Sequence, residues 1–127
     1  MQEKHLFEYA VIRIVPRVER EEFLNAGVVL YCAKLKFLKA VFEMNEEKLR
    51  AFCKKTDISE VQQNLRAYER ISLGDPDAGP IAKLDIASRF RWLTATRSTI
   101  LQSSKVHPGF TEDPLATLTK LFEQLVS

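Results

Sequence analysis

The densest chemistry in the chain lies between Asp85 and Glu112. This stretch has no acidic residue and holds Arg89, Arg91, Arg97 and Lys105 among Ser88, Thr94, Ser98, Ser103 and His107. Guanidinium groups beside hydroxyl donors suit an oxyanion, because Arg grips phosphate or carboxylate with two parallel N–H donors. The competing reading is a solvated basic surface whose Arg stems cover Phe90 and Trp92. Arg13 is a second candidate, since a cation in the middle of an apolar strand must find a partner or reach a surface. Glu22 is the carboxylate placed to be that partner if the charged turn folds back, and such a pair is more often structural than catalytic. His107 stands before Pro108-Gly109, where a lone histidine is more often exposed or structural than a general base. Ser98 and Cys32 have no base beside them in the sequence, and neither a glycine-rich phosphate loop nor a His-Glu-x-x-His pair of metal ligands is present.

These residues need a scaffold, and the stretch Phe7 to Met44 supplies its centre. Its apolar runs, rich in Val, Ile, Phe and Tyr, predict neighbouring strands over Phe7–Val15, Val28–Cys32 and Phe37–Phe42. In the first, Phe7, Tyr9, Val11, Arg13 and Val15 share one side while Ala10, Ile12 and Ile14 share the other, the pattern of a strand covered twice. Pro16 ends it, and a charged turn around Glu19 to Glu22 leads to Asn25-Ala26-Gly27. Helices are predicted over Glu46–Lys55, capped by Asn45, and from Ile58 to Leu73, between Asp57 and Gly74. Gly74 to Pro80 is rich in breakers and predicts a mobile surface loop, followed by a helix over Ile81–Arg91. Thr99 to Leu101 predicts a fourth strand, and His107-Pro108-Gly109 should break whatever precedes it. The last helix starts at Asp113 and Pro114 and carries an apolar stripe of Leu115, Leu118, Phe122 and Leu125.

Composition sets the limits. With 127 residues, 46% of them hydrophobic and eight of them Phe, the chain has the material for one ordinary core in a single domain. Burial worth about 1.5–3 kcal/mol per large side chain can stabilise it without disulfide or metal. A formal charge of +2 is far from the basic excess of a domain that wraps nucleic acid, so charge nominates no partner, and a nucleic-acid ligand stays open. Cys32 and Cys53 lack metal-ligand spacing and are expected as reduced, mostly buried thiols. The amino terminus lacks the apolar core of a signal peptide, and no apolar run approaches the roughly 20 residues of a membrane span, so a soluble cytoplasmic protein is expected.

Two stretches together, Tyr9 to Leu30 and Arg89 to Asp113, resemble the small bacterial proteins grouped as domain of unknown function family 3037. The first motif is carried here by Arg13, Pro16, Glu22, Phe23, Asn25, Gly27 and Val28. The second is carried by Arg89, Phe90, Leu93, Thr94, Arg97, Ser98, Gln102, His107 and Gly109. The resemblance spans nearly the whole chain. It implies a partner, since members are often encoded beside a HipA-like kinase, and it implies no cofactor.

The expected fold is α+β, an antiparallel sheet of three or four strands with helices packed on one face. The expected site is a shared pocket in which Arg13, Glu22 and Asn25 meet Arg89, Arg91, Arg97, Ser98 and His107. Two functions fit this reading. One is a non-catalytic binding or accessory protein that recognises a HipA-like kinase or an anionic ligand. The other is a small enzyme acting on a phosphate-containing or nucleic-acid substrate, with Glu22 or His107 carrying the proton.

Overall fold

A computed structural model describes residues 3–15, 23–43, 45–52, 57–95 and 100–126. Its centre is an antiparallel sheet of five strands: β1 (His5–Ile14), β2 (Leu24–Cys32), β3 (Phe37–Phe42), β4 (Leu101–Ser103) and β5 (His107–Thr111). The order is β3-β2-β1-β4, and β5 also pairs with β1. Tyr9 stands opposite Leu30 and Val11 opposite Val28, while Gly27 pairs with Phe42 on the far side of β2. The hairpin turn before β3 places Lys36 at φ 51°, in the left-handed region, which accounts for a tight turn without glycine.

Among the described residues, four helices flank the sheet: α1 (Glu46–Phe52), α2 (Ile58–Leu73), α3 (Ile86–Leu93) and α4 (Pro114–Leu125). Each starts on a short polar cap. The carboxylates of Asp57, Asp85 and Asp113 accept from the backbone N–H of Glu60, Ser88 and Ala116, and Asn45 accepts from that of Lys48. Gly74 closes α2 at φ 72°, as a residue without Cβ does most cheaply.

The α+β class and the antiparallel sheet are as the residue pattern predicts, but the helices do not share one face. Ala10, Ile12, Val29, Tyr31, Leu38 and Ala40 pack against α2 and α3 through Tyr68, Ile71, Phe90 and Leu93, and Ile14 and Ala26 meet Leu49 of α1. On the other side, Phe7, Val28, Leu30 and Cys32 pack against Leu118, Leu121 and Phe122 of α4. The physical reason lies in β1 and β2, whose odd and even positions are both apolar; each face therefore needs a cover.

The fifth strand corrects a second expectation. His107-Pro108-Gly109 does not break the chain but runs beside β1, with Pro108 opposite Glu8 and Gly109 opposite Phe7. Proline is tolerated there because β5 lies at the edge of the sheet. Gly109 is required by close approach, since a Cβ on it would sit 2.5 Å from the tip of the Phe7 ring. β4 and β5 act as one strand interrupted by a bulge: Ile12 pairs with Ser103 and Tyr9 with His107, which leaves one extra residue opposite β1. Ser104 bridges the gap, its buried hydroxyl accepting from the Val11 N–H at 2.8 Å while its own N–H donates to the Val11 carbonyl at 2.9 Å.

Smaller corrections have local causes. The stretch after Gly74 is folded into two 3-10 turns, Pro76–Ala78 and Pro80–Lys83, so the helix expected from Ile81 begins instead at Ile86, where Asp85 caps it. The fourth strand is described over Leu101–Ser103, and Thr99, where it was expected to start, lies outside the described residues. The α4 stripe is rotated by part of a turn, so that Leu121 packs inward while Leu115 is 48% exposed. Pro16, the charged turn after it and Cys53 lie outside the described residues, whereas Cys32 is a fully buried free thiol. No helix among the described residues is long and apolar enough to cross a membrane.

Candidate functional site

Alternation along β1 puts Arg13 between Ile12 and Ile14, which face α2 and α1, so its side chain emerges on the α4 side of the sheet. Its cross-strand neighbour is Asn25, and Gln102 stands opposite it on β4. Phe23, two residues before Asn25 and so on the same side, lies beneath the guanidinium, with the Arg13 Cζ 4.1 Å from the ring centroid. A cation over an aromatic face is attracted by the negative potential of the ring, without a carboxylate being needed for that contact. Among the described residues no carboxylate pairs with Arg13, and its Nε is buried without an acceptor.

Asn25 ties the site to α4. Its Nδ2 donates to the Leu125 carbonyl at 3.1 Å, satisfying one of the carbonyls left open at the end of that helix. This bond sets the orientation of the amide, because the reverse would place oxygen against oxygen. The Oδ1 atom then points away, buried and without a donor. A cleft of about 200 Å³ opens here, lined by Phe23, Leu24, Asn25, Lys48, Leu125 and Val126. A second of about 190 Å³ shares Leu24, Asn25, Lys48 and Val126 and adds Glu43 and Asn45.

The other expected site residues divide. His107 is on the same face, but it stacks on Tyr9 with ring centroids 5.3 Å apart. Tyr9 is four positions from Arg13 along β1, roughly 13 Å at the usual strand rise. Arg89 and Arg91 are on the opposite face. The Arg89 guanidinium packs against Gly74 at the carboxy-terminal end of α2, where any Cβ on residue 74 would collide with it, and a cation there opposes the negative end of the helix dipole. Arg91 is paired with Glu8, its Nη2 reaching both carboxylate oxygens at 3.1 and 2.9 Å. The shared pocket expected from both motifs is therefore divided by the sheet. Glu22, Arg97 and Ser98 lie outside the described residues.

A larger cleft, about 330 Å³, lies between α2, the end of α3 and β4, and is lined by Asn64, Tyr68, Trp92 and Ser103 among mostly apolar neighbours. Three of its polar groups are occupied: the Tyr68 hydroxyl donates to the Leu93 carbonyl, Asn64 Nδ2 to the Glu60 carbonyl, and the Ser103 hydroxyl to the Ser104 carbonyl. Arg13 Nε, Asn25 Oδ1 and Arg89 Nε are buried without a partner, and such an atom costs about 1–3 kcal/mol. Among the described residues, no group of three or more His, Cys, Asp and Glu side chains could hold a metal ion.

Phe23 and Lys48 were missed by sequence reasoning. Phe23 carried a signal, since it belongs to the first motif and stands two residues before Asn25. Lys48 carried none: it lies on α1, and only the packing of that helix brings it to Asn25.

Arg13, Phe23, Asn25, Arg89 and His107 are among the residues of the two motifs met in the sequence. The profile of the family described as protein of unknown function (DUF3037) matches residues 9–126. The chain belongs to that family. The DUF3037 match covers the sheet from Tyr9 onward and reaches the end of α4, so it includes Arg13 and every residue of the cleft lined by Phe23 and Asn25. No curated protein and no solved structure matches the chain.

Proposed function

We propose that this DUF3037 protein is a non-catalytic binding or accessory protein that recognises an anionic group at Arg13, whose neighbours Phe23 and Asn25 line the adjoining cleft. The observation that carries the reading is an arginine in the middle of an apolar strand, stacked on Phe23 and without a carboxylate partner among the described residues. A cation in that setting is costly unless an anion completes it. Lys48 lines that cleft and adds a second positive charge; no acidic residue lines it, and Glu43 lines the adjoining one. The distance between Arg13 and His107 favours binding over catalysis, since one small substrate could not engage both. The anion can be free in solution or displayed on a partner such as the HipA-like kinase that the family resemblance implies.

Thermal melts with phosphate, sulfate, acetate, nucleotides and short oligonucleotides, against chloride at matched ionic strength, test the reading. A fitting anion at a hundredfold excess over its Kd should add about 2.7 kcal/mol of apparent stability. Arg13→Leu should remove the shift, and Arg66→Ala, on the exposed side of α2, should keep it. If no anion raises the melting temperature, or if Arg13→Leu responds like the parent, the proposal is wrong.

A further inference from the structure

We infer that the cleft between α2, the end of α3 and β4 is a binding site for a neutral, bicyclic aromatic group with a single N–H donor, the chemistry of an indole. The inference goes beyond the anion reading and does not rest on it. Size comes first: a cavity of about 150 Å³ holds one benzene ring. This cleft, about 330 Å³, has room for two fused rings. Its walls include Ile71, Leu93 and Leu101 with the rings of Tyr68 and Trp92, and none of the described residues that line it is charged. An ionised ligand would lose its water there without gaining a counter-charge, whereas a flat apolar one gains burial and ring contacts.

The polar atoms of the cleft select the donor. Asn64 spends its Nδ2 on the Glu60 carbonyl at 2.7 Å, which sets the orientation of the amide and leaves Oδ1 as an acceptor. The Ser103 hydroxyl spends its proton on the Ser104 carbonyl at 2.8 Å, and its oxygen keeps lone pairs. Oxygens in this state repel a ligand oxygen and accept from an N–H. A phenol brings lone pairs of its own against them, whereas the indole N–H is a donor only. Entry needs no wall to move, because Ala67 and Ala95 are exposed at the cleft and Asn64, Trp92 and Ser103 are half-buried.

Calorimetry on the intact chain, with a ¹H–¹⁵N spectrum to place the ligand, tests this. Indole should shift the amides of Ala67, Ile71, Leu93 and Leu101. It should bind about tenfold more tightly than benzofuran, the same bicycle with oxygen in place of N–H, since acceptors left facing an oxygen go unpaired. Ala67→Phe puts a ring into the cleft from its exposed rim and should abolish indole binding. Asn64→Leu combined with Ser103→Ala removes both acceptors and should bring indole and benzofuran to equal affinity. Should a variant fail to fold, the ligand pair and the shifted amides of the parent protein decide alone. N-acetyltryptophanamide separates the sources: tighter binding than indole assigns the cleft to a tryptophan side chain on a peptide, and weaker binding assigns it to a free indole. Equal affinity of the parent for indole and benzofuran, no shift of these amides at millimolar indole, or undiminished binding by folded Ala67→Phe overturns the inference. None of these outcomes bears on the anion site, whose failure is read from the melts alone.

Discussion

At the scale of single residues, polar side chains in this protein replace backbone groups that the sheet or the helices leave open. Ser104 is the clearest case, because its hydroxyl accepts from the Val11 N–H where the β4–β5 bulge removes a ladder carbonyl, and it donates onward to the Lys105 carbonyl at 2.9 Å. Ser104→Ala leaves a buried N–H without a partner and should cost about 1–3 kcal/mol in urea denaturation, with an unchanged slope. The acid limb of stability should depend on Asp75. Hydrogen bonds from Arg70 and from the Asp77 N–H hold its carboxyl below the ordinary value of 3.8. A depressed carboxyl stabilises the fold above the unfolded value, and that contribution is lost as pH falls through the folded one. Asp75→Asn should therefore weaken the fold at neutral pH and flatten the loss of stability below about pH 4, read from melts across the acid range. Asp85, held down by Ser88, should add to the same limb.

At the scale of elements, α4 is docked by fewer residues than its apolar stripe suggests. Leu118 is fully buried against Phe7, Val28, Leu30 and Cys32, whereas Leu115 is largely exposed. Leu118→Ala should cost about 2–5 kcal/mol through lost burial and the cavity left behind. Leu115→Ala should stay within about 0.5 kcal/mol, as surface substitutions do. Equal effects in chemical denaturation would mean that the helix sits in another rotation. The carboxy-terminal end of the same helix receives the Asn25 amide, so the element that covers the second face also orients the candidate site.

At the scale of the whole molecule, the sheet is a partition. One face carries α1, α2 and α3 with the Glu8–Arg91 pair and the larger apolar cleft; the other carries α4, Arg13 and the His107–Tyr9 stack, and the two clefts at Asn25 lie between Lys48 of α1 and Val126 after α4. Each face of β1 and β2 is apolar, so neither layer can be removed without uncovering the core. A chain ending before Asp113 should expose a continuous patch around Phe7, Val28 and Leu30 and be insoluble or unfolded. A soluble truncation with the parent's circular dichroism melt would show that α4 is dispensable.

The sequence alone determined what is decided within a turn or two of the chain. The limits of α2 at Asp57 and Gly74, the start of α4 at Asp113-Pro114 and the span of β3 follow from caps, breakers and alternation, whose partners are three or four residues away. Arg13 was legible for the same reason, as a cation between Ile12 and Ile14. Other features were settled only by the tertiary structure, because they depend on which distant segment lies beside which. Pro108-Gly109 reads locally as a break and becomes a strand because the edge of β1 is open and the Phe7 ring needs a neighbour without a side chain. Arg89 and Arg91 look like an anion site in sequence, but packing presents Gly74 to one and Glu8 to the other. Lys48 reaches Asn25 only through the docking of α1. Such pairings join residues tens of positions apart, and no local spacing encodes them; the sheet that places them is itself built from contacts of that range.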